Sequence, residues 1–265
     1  MERSATIDLT SYGDSGFAKL PAFADESIGA AMHADVVTLV RTAAETGSAP
    51  DDVLIAPESQ AGFAGERPED LISKVFTLHQ RPVFAEFLRS GDVPDILEQL
   101  IGPDVDCFLS QYIFKNPGAW GQPWHQDSYY FPFAPARPIV GLWLAVTEAT
   151  LDNGCLHVLA GSNHEPIHEH VPDARPGANY GYVEIVDHDM GASAPVLMSP
   201  GDLLVFDSHL MHRSTDNASD GIRAAMVFHC CAAGTEDLGH PAIGGAPSPV
   251  HRFVPLLRDG DVVGT

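Results

Sequence analysis

The sequence predicts a mainly β protein, a double-stranded β-helix (jelly roll) braced by N-terminal helices. Helical patterns dominate the first third of the chain, whereas short apolar segments alternate with turn residues from Cys107 onward. Its 265 residues, of which 45% are hydrophobic, suffice for one core. We therefore expect a single domain over residues 1–265. Residues 1–105 give helical support and a possible lid, 106–235 the jelly-roll core, and 236–265 a C-terminal extension.

The N-terminal third contains one short strand and three helices in the order of the chain. Residues 16–23 follow a glycine and predict the strand. Residues 25–46 predict a long helix, because acidic residues in its first turn favour the helix dipole. Residues 81–89 and 94–101 predict two short helices, each with an early proline.

Residues 47–70 are rich in Pro, Gly, Asp and Glu and show no clear periodicity. Such a segment is typical of a mobile connection. We expect it to be able to cover the entrance of a site.

The core region contains seven segments that predict strands. They are residues 107–114, 139–148, 155–160, 182–186, 196–199, 203–206 and 222–231. Asp152-Asn153-Gly154 predicts a tight hairpin that needs positive φ, and residues 199–202 predict another turn. Strands joined by hairpins after a helical part are typical of a jelly roll.

Composition excludes several classes of function. The chain has 14 basic and 36 acidic residues, a formal net charge of −22, and so offers no footprint for nucleic acid or an anionic membrane. No apolar run predicts a membrane span or a signal peptide, and we expect a cytoplasmic protein. The four cysteines lack CxxC spacing, which predicts buried free thiols. The expected partner is a small molecule, and the oligomeric state is open between monomer and dimer.

The stretch Trp124-His125-Gln126-Asp127 contains the first candidate metal ligands. Residues two apart on an extended segment point to the same face, so His125 and Asp127 converge. An imidazole and a carboxylate are two of the three ligands in the facial triad of Fe(II) oxygenases. An HxD pattern alone is weakly specific.

The third ligand is expected near the start of a distant strand, because facing strands of a barrel bring distant segments together. His212 fits this position, and His209 is a rival. The residues downstream favour His212, since Ser214 and then Arg223 follow it, and Arg223 lies inside an apolar strand. A guanidinium among apolar neighbours needs a partner, and its fork matches a carboxylate. The distal carboxylate of 2-oxoglutarate is a suitable partner, with the Ser214 hydroxyl as a second donor.

The chain resembles the phytanoyl-CoA dioxygenase family of Fe(II)/2-oxoglutarate oxygenases over about residues 10–235. The resemblance is carried by residues 125–133 (HQDSYYFPF), residues 139–162, and residues 200–206 (PGDLLVF) with His212 and Arg223. Residues 16–20 and 72–75 also resemble the family. The resemblance implies a jelly roll and three cofactors: Fe(II), 2-oxoglutarate and dioxygen.

The resemblance also implies roles for individual residues. His125, Asp127 and His212 match the metal triad, and Arg223 and Ser214 match positions that hold the distal carboxylate of the cosubstrate. Lys74 resembles a lysine of the same pocket, with a surface lysine on a helix as the alternative. Trp143 matches a tryptophan of the family, with plain burial as the alternative.

Strand alternation adds Gln111, which shares a face with Lys115 and is expected to point toward the cosubstrate. Asn217 is expected to shape the turn between His212 and Arg223. The aromatic residues of the stretch 129–133 are candidates for lining a substrate cavity.

We therefore expect a dioxygenase that hydroxylates an unactivated C–H bond of a small organic metabolite and releases succinate and CO₂. An acyl-CoA or carrier-bound acyl 2-hydroxylase is the alternative within the class. The charge of −22 and the three lysines provide no basic cluster for the phosphates of CoA. A non-catalytic metal-binding jelly roll and a metal hydrolase are alternatives from other classes, but neither explains Arg223 and Ser214.

Overall fold

The computed structural model describes residues 7–60, 63–178, 181–240 and 245–264. Four α-helices are described, all of them before Val105 in the chain. They are α1 (Thr10–Ser15), α2 (Glu26–Thr46), α3 (Pro82–Arg89) and α4 (Val93–Leu100). Asp25 caps α2, because its carboxylate accepts a hydrogen bond from the backbone N–H of Ser27. No helix among the described residues is long and apolar enough to cross a membrane.

Sixteen strands are described along the chain. The first eight are β1 (Phe17–Leu20), β2 (Leu54–Pro57), β3 (Ile72–Phe76), β4 (Val105–Lys115), β5 (Phe133–Ala134), β6 (Ile139–Ala145), β7 (Leu156–Val158) and β8 (His170–Pro172). The others are β9 (Val183–Ile185), β10 (Ala194–Val196), β11 (Leu203–Asp207), β12 (His212–Ser214), β13 (Arg223–Ala232), β14 (Glu236–Asp237), β15 (Val254–Arg258) and β16 (Asp261–Val262).

The strands form a curled antiparallel jelly roll with a major and a minor sheet. The major sheet has the order β1-β11-β6-β13-β4-β15-β16, and β3 joins it beside β4 and carries β2 at its outer edge. The minor sheet has the order β10-β7-β12. Two-stranded ribbons, β8-β9 and β5-β14, complete the strand pairing of the described residues.

Side chains alternate between the two faces of the central strands, so the core has two parts, one on each face of the major sheet. The outer face of the major sheet packs against the helices and includes Tyr112, Phe114, Met226 and Phe228. The inner face meets the minor sheet in a second cluster. That cluster contains Trp143, Leu156, Val158, Leu204, Phe206 and Val227. Site residues on β4, β6 and β13 therefore point inward, toward β7 and β12.

The fold confirms the predicted jelly roll, and most predicted elements lie within a few residues of the observed ones. Besides the predicted strand β1, the first 105 residues contribute two strands that were not predicted, β2 and β3, to the major sheet. Lys74 lies on β3, so the alternative of a surface lysine on a helix is wrong.

The prediction of a tight hairpin at Asp152-Asn153-Gly154 is wrong. Gly154 has the positive φ, at 89°, but the strands on either side do not pair with each other. β6 belongs to the major sheet and β7 to the minor one, so this turn carries the chain from one sheet to the other. The Asn153 side chain accepts from the backbone N–H of Thr150 and donates to the carbonyl of Glu148, which holds the turn.

The connection at residues 47–70 contains more structure than its composition suggests. β2 pairs with β3, and Pro68–Leu71 forms a 3₁₀ turn. The Gln60 side chain bonds the carbonyl of Gly118 and the N–H of Trp120, and the Ser59 hydroxyl donates to the carbonyl of Ala178. This segment therefore contacts two loops beside the site described next, and its role as a lid stays a prediction.

Candidate active site

The backbone brings His125 and His212 face to face. His125 donates to the carbonyl of His212 at 2.9 Å, and His212 donates back to the carbonyl of His125 at 3.0 Å. This antiparallel bridge joins the segment before Asp127 to β12. The two imidazole ring centroids lie 4.2 Å apart. Two residues distant in sequence thus present their side chains on one face.

The three candidate ligand atoms converge beside this bridge. His125 Nδ1 lies 2.8 Å from the carbonyl of Pro123, and His212 Nδ1 lies 3.0 Å from the carbonyl of Leu210. A carbonyl only accepts, so each Nδ1 donates there and each Nε2 is the ring nitrogen left to bind a metal ion. These Nε2 atoms lie 3.4 and 3.8 Å from Asp127 Oδ1. Two imidazoles and a carboxylate in this arrangement are suited to an octahedral first-row metal.

The environment keeps these groups ready to bind a cation. Burial, followed by repulsion from His125, lowers the pKa of His212 to about 4, so its imidazole is neutral at neutral pH. Burial alone would raise the pKa of Asp127, but His212 and His229 hold it well below its usual range. The site therefore presents the negative charge of Asp127 beside the neutral imidazole of His212.

His229 was not singled out in the sequence, and it touches the proposed ligand Asp127. It lies on β13, fully buried, and its Nε2 donates to Asp127 Oδ2 at 2.7 Å. This bond occupies the carboxylate oxygen that does not face the two ligand histidines. The His229 ring is enclosed by Phe108, Phe131 and Phe206, at centroid distances of 5.0–6.1 Å. The alternation of β13, which places Arg223 and His229 on one face, was the available signal.

His209 lies apart from this cluster. Its Nδ1 lies 3.3 Å from the carbonyl of Glu165, and its own carbonyl accepts from the side chain of Gln126. The structure groups His212, and not His209, with His125 and Asp127.

Arg223 is 1% exposed and lies at the start of β13. Its Nε and Nη1 atoms are buried and have no hydrogen-bond partner. Its guanidinium lies 5.6 Å above the ring of Trp143, whose buried Nε1 also has no partner. Burial lowers the pKa of Arg223 to about 10, which leaves it charged at neutral pH. A buried cation with unused donors is costly unless an anion is present.

Lys115 brings a second buried cation to this pocket. Its Nζ donates to Ser214 Oγ at 2.8 Å and to the carbonyl of Thr215. Burial, followed by repulsion from Arg223, lowers its pKa well below the usual range. Ser214 Oγ also accepts from the backbone N–H of Gln122, at 3.1 Å. Because this oxygen already accepts twice, its O–H is available to an incoming acceptor.

Lys74 and Gln111 lie on the neighbouring strands β3 and β4. Lys74 Nζ donates to the Gln122 side chain at 3.2 Å and lies 5.0 Å above the ring of Tyr182. Gln111 is half-buried on the inward face of β4, in register with Val227. Gln122 and Tyr182 were not predicted as site residues, because neither lies in a recognisable motif.

Asn217 forms the turn between β12 and β13. Its side-chain amide donates to the carbonyls of Lys115 and Gly221, and its oxygen accepts from Ser219. Asn217 therefore fixes the position of Lys115 relative to the start of β13.

The aromatic stretch after Asp127 divides into two parts. Phe131 and Phe133 are buried in a cluster with Phe108 and the imidazole of His251, and their role in lining a substrate cavity stays a prediction. Tyr130 is half-buried, donates to the carbonyl of Gly181 and faces the His125 ring at 6.1 Å. Tyr129 stacks on His170 at 4.3 Å.

A jelly roll with a buried His-Asp-His cluster and an unpaired arginine beside it is typical of mononuclear non-haem metal proteins. Residues 12–225 match the family described as Phytanoyl-CoA dioxygenase (PhyH). The chain belongs to the phytanoyl-CoA dioxygenase family.

Relatives and solved structures agree with this assignment. The bovine (Bos taurus) protein "Phytanoyl-CoA dioxygenase, peroxisomal" is 34% identical over 170 residues, which cover 61% of this chain and 50% of the relative. The chain thus spans about half the length of that relative.

Two solved structures share the fold. The apo form of ThoJ, described as a non-heme monooxygenase, has a TM-score of 0.68 at 19% identity, over 96% of this chain and 85% of ThoJ. The epimerase SnoN, in complex with Fe³⁺, alpha-ketoglutarate and nogalamycin RO, has a TM-score of 0.67 at 16% identity, over 97% and 94%.

Proposed function

We propose that this chain is an Fe(II)- and 2-oxoglutarate-dependent dioxygenase that hydroxylates a C–H bond of a small organic metabolite. In this reaction 2-oxoglutarate and dioxygen are consumed, and succinate and CO₂ are released. His125, Asp127 and His212 would hold the iron. Arg223, Lys115, Ser214 and Trp143 would hold the distal end of 2-oxoglutarate.

The donor set fits this metal. Three protein ligands leave three positions of an octahedral ion open, enough for a bidentate 2-oxo acid and dioxygen. Bound iron supplies the activation of dioxygen that organic side chains cannot perform. His125 and His212 would bind the ion through their Nε2 lone pairs, and Asp127 would supply the negative charge.

The observation that carries the proposal is the unpaired guanidinium of Arg223. A non-catalytic metal protein or a hydrolase has no need for two buried cations behind its metal ligands. A dicarboxylate satisfies the unused donors of Arg223 and Trp143, and its charge offsets the repulsion between Arg223 and Lys115. The free O–H of Ser214 supplies a further donor.

The remaining residues orient and protect the reactants. His229 fixes the orientation of Asp127. Tyr130, Gln122 and Lys74 form a hydrogen-bonded wall between the metal ligands and Tyr182. Such a wall positions the C–H bond of the substrate and limits the access of water.

Charge favours a small substrate over a CoA thioester. Among the described arginines, six are already paired with a carboxylate. They are Arg41, Arg67, Arg81, Arg137, Arg175 and Arg258. Lys19 is paired with Asp202. Few cations therefore remain for the polyanionic phosphates of CoA on a chain of net charge −22.

Succinate release from 2-oxoglutarate, with ferrous iron and ascorbate, tests the proposal. The wild type should release succinate in the presence of a panel of small metabolites, and His125→Ala should release none. Arg223→Ala should raise the apparent requirement for 2-oxoglutarate by about tenfold to a hundredfold, because a charge-assisted contact contributes about 1.5–3 kcal/mol. An unchanged requirement in a folded Arg223→Ala variant would refute the cosubstrate assignment.

An acyl-CoA 2-hydroxylase is the second candidate, favoured by the 34% identity to the bovine phytanoyl-CoA dioxygenase. Matched pairs of free acids and their CoA thioesters separate the two functions. Turnover restricted to the thioesters would establish the second candidate, whereas turnover of free metabolites supports the first.

A further inference from the structure

A second group of metal-binding side chains lies outside the site described above. Glu165 and His168 belong to the loop between β7 and β8, and His188 follows β9. Their ligand atoms all lie within 4.8 Å of one another. The side chains of His168 and His188 are 15% and 22% exposed, so the group is half-buried at the base of the β8-β9 ribbon.

The hydrogen-bond partner of His188 leaves one ring nitrogen facing Glu165. His188 Nδ1 lies 3.0 Å from the carbonyl of Asp189, which only accepts, so Nδ1 donates there. Nε2 is the remaining ring nitrogen, and it lies 3.0 Å from Glu165 Oε2. An imidazole nitrogen and a carboxylate oxygen at this distance share a cation, either a proton or a metal ion.

His168 is placed in the same way. Its Nε2 lies 2.9 Å from Glu165 Oε2, and its Nδ1 lies 3.3 Å from Asp187 Oδ1. A carboxylate behind the distal nitrogen of a ligand histidine is the usual support of a metal-bound imidazole, because it fixes the tautomer and strengthens the donor. Two imidazole Nε2 atoms therefore converge on one carboxylate oxygen, each with its Nδ1 held by an acceptor.

The His125, Asp127 and His212 cluster shows the same arrangement. There too, both Nδ1 atoms face acceptors and both Nε2 atoms face one carboxylate oxygen. The second cluster reproduces this pattern on unrelated segments of the chain. The arrangement of these three side chains, their donor atoms and their half-burial together favour a bound metal ion over a simple surface ion pair.

We propose that Glu165, His168 and His188 bind one divalent transition-metal ion, with zinc as the expected occupant. Two imidazoles and one carboxylate suit Zn²⁺ in tetrahedral geometry, with water as the fourth ligand on the exposed side. Asp187 supports His168 from outside the coordination sphere.

This ion would clamp the ribbon to the loop that supports the first site. The backbone N–H of His168 donates to the side chain of Gln126, which lies between His125 and Asp127. The ribbon also carries Tyr182, beside Lys74. Zinc at the second site would thus join the loop behind the first site to the ribbon that borders its pocket.

The test uses the full chain with the first site removed by His125→Ala and His212→Ala. This double variant should bind one equivalent of Zn²⁺ in a competition titration against a chromogenic chelator. Further substitution by His168→Gln or His188→Gln should abolish that binding. Asp187→Asn should weaken it by about 10- to 100-fold, the usual effect of losing such a supporting carboxylate. His164→Gln is the matched control, because His164 is an exposed histidine of the same loop and should leave binding unchanged.

Hydrogen exchange gives a readout that does not depend on activity. Zn²⁺ should slow exchange across residues 165–170 and 183–188 in the double variant, and not in its His188→Gln derivative. Absence of zinc binding by the double variant, or full binding after both His168 and His188 are replaced, would overturn the proposal. Because the double variant lacks the first site, the result of this test does not depend on the proposed oxygenase function.

Discussion

The hydrogen bond from His229 restrains the one oxygen of Asp127 that does not face the two ligand histidines. A carboxylate with one oxygen held this way binds a metal through the other oxygen only. The aromatic rings around His229 exclude water, which could otherwise donate the hydrogen bond to Asp127 in place of His229. His229 therefore acts by fixing the orientation of the proposed metal ligand Asp127.

We expect His229→Phe to weaken metal binding by about 10- to 100-fold, because it removes a donor that orients the ligand Asp127. The measurement is a Mn²⁺ titration of the purified variant. His229→Gln keeps an N–H donor and should recover part of the affinity. Equal affinity of wild type and a folded His229→Phe variant would contradict the orienting role.

Lys115 predicts a pH dependence of cosubstrate binding. Burial, followed by repulsion from Arg223, lowers the pKa of Lys115 in the resting protein. A dicarboxylate beside Lys115 favours its charged form and raises that pKa. Binding of 2-oxoglutarate should therefore take up a proton, and affinity should fall as pH rises from the pKa of the free state to that of the bound state.

Calorimetry in buffers of different ionisation enthalpy, repeated at several pH values, measures this uptake. Lys115→Met should remove the buffer dependence. Lys19→Met, which removes a lysine paired with Asp202 at the edge of the major sheet, is the control. Identical proton uptake in Lys115→Met and wild type would assign the effect to another group.

The loop before His125 is held along β12 at close range. Gln122 accepts from the backbone N–H of Ser214, and the adjacent Gly121 lies so near that an added Cβ would stand 1.9 Å from the Ser214 carbonyl oxygen. Only a glycine fits there without moving one of the two segments. The position of Ser214 in the pocket thus depends on this contact.

We expect Gly121→Ala to destabilise the fold by about 1–3 kcal/mol, as overpacking usually does. It should also raise the requirement for 2-oxoglutarate, because it displaces Ser214. Denaturant unfolding and succinate release measure the two effects. Gly221→Ala is the control, since its Cβ meets nothing within 4 Å. Unchanged unfolding of Gly121→Ala would show that the loop moves freely.

The strands were predictable because their signal is local. An apolar run such as residues 203–206 becomes buried whichever strands it pairs with in the sheet. The sheet to which a strand belongs is not a local property, which is why Asp152-Asn153-Gly154 was misread as a hairpin. Likewise, β2 and β3 are short strands whose pairing depends on β4, about 30 residues further along the chain.

The residues of the candidate site divide in the same way. His125, Asp127, His212 and Arg223 stand in segments with a recognisable pattern. His229 and Tyr182 become visible only when strands far apart in sequence are brought side by side. Glu165, His168 and His188 stand in no recognisable motif, and nothing in the sequence shows that β8 and β9 pair and bring them together.

For the molecule as a whole, the three ligands connect the segment before β5 to β12, and His229 extends the connection to β13. A metal bound at their centre should stabilise the entire barrel. Binding to the folded state adds about 2.7 kcal/mol at a hundredfold excess over Kd. For a chain of this size that corresponds to about 5–10 °C in Tm.

We therefore expect Mn²⁺ with 2-oxoglutarate, without oxygen, to raise Tm by this amount, and EDTA to reverse the shift. Differential scanning fluorimetry measures it. His125→Ala should lose most of the shift, and His164→Gln should keep it. A full shift in His125→Ala would place the stabilising ion elsewhere in the molecule.

The mutual backbone bridge between His125 and His212 has a consequence for the supply of iron. Because hydrogen bonds of the main chain set the spacing of these ligands, the site forms when the barrel folds and does not wait for the ion. Newly made chains would then be folded before they bind iron. Under the proposed function, the amount of working enzyme would follow the availability of iron more closely than the rate of protein synthesis.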